Sequence, residues 1–439
     1  MPDAGPKLSG SFPLVGHLPR MRRDPLTTLV AASRIGDVTR IDLGPRGEAY
    51  VVTHPDGVKR VLLENQSNYS KRTRGFDSLR LFLGQGLLTS EGDFWRKQRR
   101  IAQPAFHHRN LQAFGTIMRE AGESLADRWE ERAATGEPFD VARDMMQVTL
   151  TIVGRCLFST DPAAQSSVIG RHLDVMLEHF ARRISALVVL PLSWPTQGNR
   201  RIRLAIDELH RIVDEIVSQR RAAPGNSDRP ADLLDLLMAV EDAETGTRMS
   251  DRQLRDEVLT LLLAGHETTA AALGWTWWLL AQNPDVDRRL GEQLAVSDDA
   301  PLVGRVVHEA MRLYPPAWIV ARRAEAPDRV LGVAIPRDHL VIVTPYATHR
   351  RPDLFRDPER FDPDRFDGAT FDRFAYFPFG GGPRICIGNG FALMEAQILL
   401  ATLRRRFRLE LAPGAVVEPM PLLTLRARRG IEVVAHAAR

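Results

Sequence analysis

Along most of this chain, apolar residues recur at three- and four-residue intervals, the spacing of helices with one buried face. The pattern predicts helices over 55–64, 92–101, 109–134, 141–158, 165–185, 199–222, 250–282, 284–296, 301–313 and 389–406. Many open on a capping residue or proline and close on glycine or proline. Extended alternation is brief. VTRIDL (38–43) and EAYVVT (48–53) flank Gly44-Pro45-Arg46-Gly47 and predict a hairpin, and further short runs fall near 317–323, near 340–345 and toward the C-terminus. Between Pro352 and Pro383 periodicity almost vanishes, and long irregular stretches inside a folded chain tend to be functional.

One stretch is apolar for a membrane-spanning length, VLTLLLAGHETTAAALGWTWWLLA from Val258 to Ala281. Its centre carries Gly265, His266, Glu267, Thr268 and Thr269, so it reads as a buried helix with a functional polar patch. Residues 1–20 form a proline-rich arm that lacks the apolar core of a signal peptide or anchor, and the chain is expected in the cytoplasm. The segment APGNSDRP (223–230) is the weakest join, yet it separates helices rather than self-sufficient halves. A single domain over 1–439 is therefore expected.

Composition narrows the chemistry. With 439 residues, 44% hydrophobic and 26% charged, the chain is globular, and a net charge of +4 is too small to announce a nucleic-acid partner. Cys156 and Cys386 are its only cysteines, too few for a disulfide framework, a cysteine zinc site or an iron–sulfur cluster. Cys156 lies within TLTIVGRCLF and reads as packing. Cys386 sits in Phe379-Gly380-Gly381-Gly382-Pro383-Arg384-Ile385-Cys386-Ile387-Gly388, a glycine-rich loop that opens a helix. Glycines allow close approach of a flat ligand, and the helix N-terminus favours thiolate over thiol. These are the requirements of a cysteinate on haem iron, with Arg384 placed to pair with a propionate. A nucleotide cradle fits less well, because Gly388-Asn389-Gly390-Phe391-Ala392-Leu393 has leucine where a third glycine belongs.

The loop resembles the haem-binding signature of the cytochrome P450 family, Phe-x-x-Gly-x-Arg-x-Cys-x-Gly, and Phe379, Gly382, Arg384, Cys386 and Gly388 match every fixed position. The resemblance implies that Cys386 is the proximal ligand of haem b, Phe379 packs near the sulfur and Arg384 contacts a propionate. Three further segments occur in the family's order. Trp95 and Arg99 resemble its Trp-x-x-x-Arg propionate helix, with Arg322 or the adjacent Arg323 as a further propionate contact. Ala264-Gly265-His266-Glu267-Thr268-Thr269 resembles its oxygen-binding sequence, which implies that Glu267 and Thr268 relay protons and that Gly265 lets a diatomic ligand approach. Glu309-Ala310-Met311-Arg312 with Pro358-Glu359-Arg360-Phe361 resembles its structural network, with Arg360 expected to join Glu309 and Arg312.

The implied fold is mainly α with small β-sheets, one large domain holding haem between the acid-Thr helix and the helix after the cysteine loop. The implied activity is insertion of one oxygen atom from O2 into an apolar fatty acid, terpenoid or polyketide-like substrate, in the style of a soluble, monomeric bacterial enzyme. Leu79, Leu81, Phe82, Leu83, Leu87, Leu88 and the VVLPL run at 188–192 make the expected cavity lining apolar. Electrons would come from a ferredoxin- or flavodoxin-type donor with its NAD(P)H-dependent reductase. The basic clusters His107-His108-Arg109 and Arg404-Arg405-Arg406 are its expected docking face. A haem sensor or carrier without turnover, which would not need Glu267 and Thr268, and a peroxide-driven hydroxylase are the alternatives.

Overall fold

The computed structural model describes residues 5–159, 163–186, 189–222, 231–242, 244–297 and 300–438. Segment 223–230 and Val188 of the apolar run lie outside them. Contacts group the chain into two compact units, each drawn from separated segments. The first comprises Met1–Arg74, Gly304–Cys386 and Pro419–Arg426; the second comprises Gly75–Val303, Ile387–Glu418 and Ala427–Arg439.

In the first unit the predicted hairpin forms, Val38–Asp42 pairing antiparallel with Glu48–Val52 around a 3-10 turn at Gly44–Arg46. Glu48–Val52 then pairs in parallel with Leu340–Val343, which pairs with Val320–Ala324, and Tyr69–Ser70 completes a five-stranded sheet. Val38, Tyr50, Val52, Val341 and Val343 point to one buried face with Phe374 and Phe377, so the core under this sheet reaches the chain leading into the cysteine loop. The N-terminal arm is stitched to the sheet edge, where Arg40 N–H donates to Pro6 O at 2.8 Å and Leu8 N–H to Arg40 O at 2.9 Å.

Helices dominate the second unit. Val141–Phe158, Pro284–Val296 and Asn389–Arg406 have the predicted limits, and Asp251–Gln282 and Gly92–Ala102 differ from them by a residue. Caps explain the agreement: Asp140 accepts Ala142 N–H, and Ser250 and Gln253 form a reciprocal capping box. The long helix Asp251–Gln282 packs on Val141–Phe158. Trp129, Trp277 and Phe407 stack edge-on beneath a small sheet of Phe139–Asp140, Glu432–Ala437 and Phe407–Leu411. Among the described residues no helix is long and apolar enough to cross a membrane.

The helix predicted over 55–64 runs as α from Pro55 to Lys59 and then as a π-turn from Arg60 to Glu64. Arg74–Leu83 and Leu233–Ala239 are helices that the pattern did not announce, being short and interrupted by charge.

Candidate active site

The cysteine loop is shaped by its glycines. Gly380 and Gly382 have φ of +73° and +65°, and a Cβ on Gly382 would lie 1.9 Å from Leu62 O, so the loop rests directly on the backbone of the π-turn. Gly382–Arg384 forms a 3-10 turn, and Cys386 N–H donates to Phe379 O at 3.0 Å, closing the loop. Cys386 is exposed, while Cys156 is buried and burial pushes its thiol up. Helix Asn389–Arg406 begins three residues after Cys386, with Gly388 as its N-cap. Gly388 has φ of −92°, and a Cβ there would meet only Phe106 at 3.8 Å, so the polypeptide itself does not demand glycine at this position.

Glu309 and Arg312 are both fully buried. The Arg312 guanidinium grips the carboxylate at 2.7 and 2.8 Å and also donates to the carbonyls of His349 (2.9 Å), Pro358 (2.6 Å) and Arg360 (3.0 Å). The expected third guanidinium is not that of Arg360, whose side chain is exposed and which contributes its carbonyl alone. Arg365 fills the place, reaching Glu309 at 3.4 Å beside the Asp362 N–H at 3.0 Å. The 3-10 turn at Pro363–Phe366 directs Arg365 inward, and irregular backbone of this kind has no periodicity from which to read direction.

The polar patch of the long helix is not a solvent-facing turn. His266 and Glu267 are 3% and 1% exposed, and Thr149 Oγ1 donates to His266 O at 3.1 Å. Leu261, Ala264, Gly265 and Thr268, at i, i+3, i+4 and i+7, form a half-exposed stripe on a helix otherwise closely covered over these turns. Thr268 Oγ1 donates to Ala264 O at 2.5 Å, yet the helix stays α through this turn without the distortion that such a bond can cause. At Gly265 a Cβ would press on Val153 at 3.0 Å, so the missing side chain lets Val141–Phe158 pack close.

Sequence reasoning missed two buried acids on these helices. Glu395 of Asn389–Arg406 is fully buried beside Thr269, and burial pushes its carboxyl well above the ordinary range. Glu257 accepts Leu87 N–H at 3.0 Å and is pushed up to about 8 by burial and by the neighbouring Asp256, which itself accepts Gln85 N–H at 2.8 Å. An acid on the apolar face of a helix is the signal that could have marked both.

Trp95 is buried and Arg99 half-buried on one face of Gly92–Ala102. Arg323 turns outward to Asp338 at 3.1 Å, whereas Arg322, on the opposite face of its strand, is 7% exposed and bonds Ala321 O at 2.9 Å. The Arg404-Arg405-Arg406 cluster is not the free basic face expected. Arg404 is buried against Asp287 at 2.6 Å, Arg405 donates to Leu294 O at 3.1 Å, and Arg406 is held by Asp127 at 2.8 Å and Glu130 at 2.6 Å. Acids from distant segments engage Arg404 and Arg406 and carbonyls hold Arg405, which leaves the exposed His107 and Arg109 of the expected docking residues, the side chain of His108 lying outside those described.

Each unit by itself carries features that suit a flat prosthetic group with a thiolate ligand: in the first, an exposed cysteine in a glycine loop; in the second, a glycine that no protein atom requires and a half-open stripe along a buried helix.

The family model for Cytochrome P450 matches residues 6–433. The chain belongs to the cytochrome P450 family. It is an oxidoreductase of the monooxygenase class, and the family binds haem b. It is 36% identical over 433 residues to cyclooctatin synthase of Streptomyces melanosporofaciens, covering 95% of this chain and 93% of that protein. It is 34% identical over 427 residues to cyclooctat-9-en-7-ol 5-monooxygenase of the same organism (93% and 90% covered) and 33% identical over 440 residues to pentalenene oxygenase of Streptomyces avermitilis (95% and 94%). A crystal structure of a cytochrome P450 superposes with a TM-score of 0.86 at 24% identity, covering 100% of this chain and 99% of that one; it establishes the fold.

Proposed function

We propose that residues 1–439 act as one catalytic domain that inserts an oxygen atom from O2 into a terpenoid hydrocarbon or its partly oxidised derivative, using electrons from a separate acidic redox protein. The half-exposed stripe Leu261-Ala264-Gly265-Thr268 carries the reading: an apolar surface with one hydroxyl, on an otherwise covered helix, suits an apolar substrate and a single polar event. The names of three relatives, built on cyclooctatin, cyclooctat-9-en-7-ol and pentalenene, support the terpenoid class over the fatty acid or polyketide class.

In this proposal Cys386 is the iron ligand, with Phe379, Arg384 and Gly388 around it. Trp95, Arg99 and Arg322 hold the propionates, and Ala264 and Gly265 line the oxygen side. Haem, when bound, supplies dioxygen activation at a thiolate-bound iron. Arg322 rather than Arg323 is favoured because Arg323 is engaged by Asp338. Thr268 fixes its hydroxyl hydrogen on Ala264 O, which leaves the oxygen lone pairs to hold a proton donor at the stripe. The buried Glu267, next in sequence, is the reserve from which that proton is replaced.

Titration of the holoprotein with pentalenene and related cyclic terpene hydrocarbons, against fatty acids of similar size, tests the substrate class. Terpenes are expected to shift the haem from low to high spin at lower concentration. Preferential response to fatty acids would contradict it. Thr268→Ala should raise electron consumption per product by roughly 10-fold or more, since a positioned proton-transfer group typically contributes about 10²–10⁴-fold to its step. Unchanged coupling removes Thr268 from the proton path.

A further inference from the structure

We infer that His349, in one neutral tautomer, is the positioning residue that transmits the Glu309–Arg312 network to the cysteine loop. The inference rests on the reading of Cys386 as iron ligand and names what holds its loop in register.

His349 is fully buried among Phe355, Tyr376 and Phe377, with ring centroids 6.2, 5.2 and 5.4 Å away. Its Nδ1 lies 3.2 Å from Arg312 O, and its Nε2 lies 3.1 Å from the backbone N of Phe377. A carbonyl only accepts and an amide N–H only donates, so Nδ1 must carry the proton and Nε2 must be bare. Burial and the adjacent Arg312 and Arg350 guanidiniums hold this imidazole well below its ordinary range, and the other tautomer would set two donors against each other. Arg312 returns a bond to His349 O at 2.9 Å, tying residue 349 to the network by both backbone and ring.

From Phe377 the bonds run on into the loop. Phe377 O accepts Gly380 N–H at 2.9 Å, and Phe379 O accepts Cys386 N–H at 3.0 Å. Thus the ring bond holds the Tyr376–Phe377 peptide unit, immediately ahead of the turn that Phe377 O and Gly380 N–H close. Tyr376, next to Phe377, has a second anchor: its hydroxyl lies 2.9 Å from His308 Nδ1 and donates to His308 O at 3.0 Å, while its ring lies tilted against that of His349. His349 holds the Phe377 amide, two residues ahead of Phe379.

The test compares His349→Phe, which keeps ring bulk and loses both bonds, with His349→Gln, whose amide oxygen can still accept Phe377 N–H. In folded holoprotein well below its unfolding temperature, His349→Phe should raise about fivefold the ratio of carbon-monoxide complex lacking the red-shifted thiolate Soret band to complex showing it, the equivalent of one buried hydrogen bond. It should also shift the iron reduction potential, and His349→Gln should restore both. A native band and potential in His349→Phe overturn the inference, as does Gln behaving like Phe. If His349→Phe does not fold, imidazole nitrogen NMR of the wild-type protein still decides: Nδ1–H neutral imidazole is expected, and an Nε2–H tautomer or imidazolium at neutral pH overturns it. A wild-type protein lacking the thiolate band refutes the Cys386 assignment instead, and the NMR result is independent of that.

Discussion

Gly382→Ala probes the seat of the cysteine loop, and Gly380→Ala supplies its control. Both positions hold positive φ, so each alanine costs about 1–2 kcal/mol of left-handed strain. They differ in what the new methyl meets. At Gly380 nothing lies within 4 Å, whereas at Gly382 the Cβ would sit 1.9 Å from Leu62 O. An ordinary carbon–oxygen contact is about 3.3–3.6 Å, so backbone must move by well over an ångström, and overpacking of that kind costs about 1–3 kcal/mol more. Strain common to both variants cancels in their comparison. If the extra cost falls on the haem-bound state, haem transfer to a scavenging apoprotein should be about 10-fold or more faster for Gly382→Ala than for Gly380→Ala. Equal rates for the two variants would show that the loop does not rest on the Leu62 carbonyl as described.

Removing the Arg365 guanidinium should cost about 1–3 kcal/mol in urea unfolding, because it reaches a fully buried carboxylate, whereas Arg360→Ala should fall within about 0.5 kcal/mol of wild type. The reverse order would restore Arg360 as the third member. Glu257 holds its proton to about pH 8 when folded and to its ordinary value near 4.5 when unfolded, so between those values the folded state binds more protons and stability falls as pH rises. Glu257→Gln should flatten that slope, on the order of 1 kcal/mol per pH unit, in urea titrations across the window. Arg404→Met should destabilise by about 3–5 kcal/mol, since it strands the buried Asp287 carboxylate, and Arg404→Met with Asp287→Leu should recover most of the loss. Reduction by an acidic donor should be unaffected by Arg406→Gln, whose charge three acids already engage.

Helix limits were legible where the chain carries its own punctuation. Asp140, Pro284, Pro301 and Gly388 mark starts that neighbours did not need to decide. Arg74–Leu83 has no such mark and alternates charge with leucine, so its helix depends on packing that the pattern does not state. The cysteine loop was legible because spacing along ten residues is local. Which of Arg360 and Arg365 turns inward, and which acids engage Arg404 and Arg406, depend on segments dozens to hundreds of residues away. The ring of His349 was silent for the same reason: a histidine in a loop says nothing of the amide it accepts from.

Reduced protein exposed to carbon monoxide gives the most direct test of the account, with Cys386→Ser beside the wild type. Thiolate ligation by Cys386 predicts a strongly red-shifted Soret band in the wild type and its loss in Cys386→Ser at equal haem content. A wild-type spectrum without that band, or a band that survives in Cys386→Ser, would contradict it.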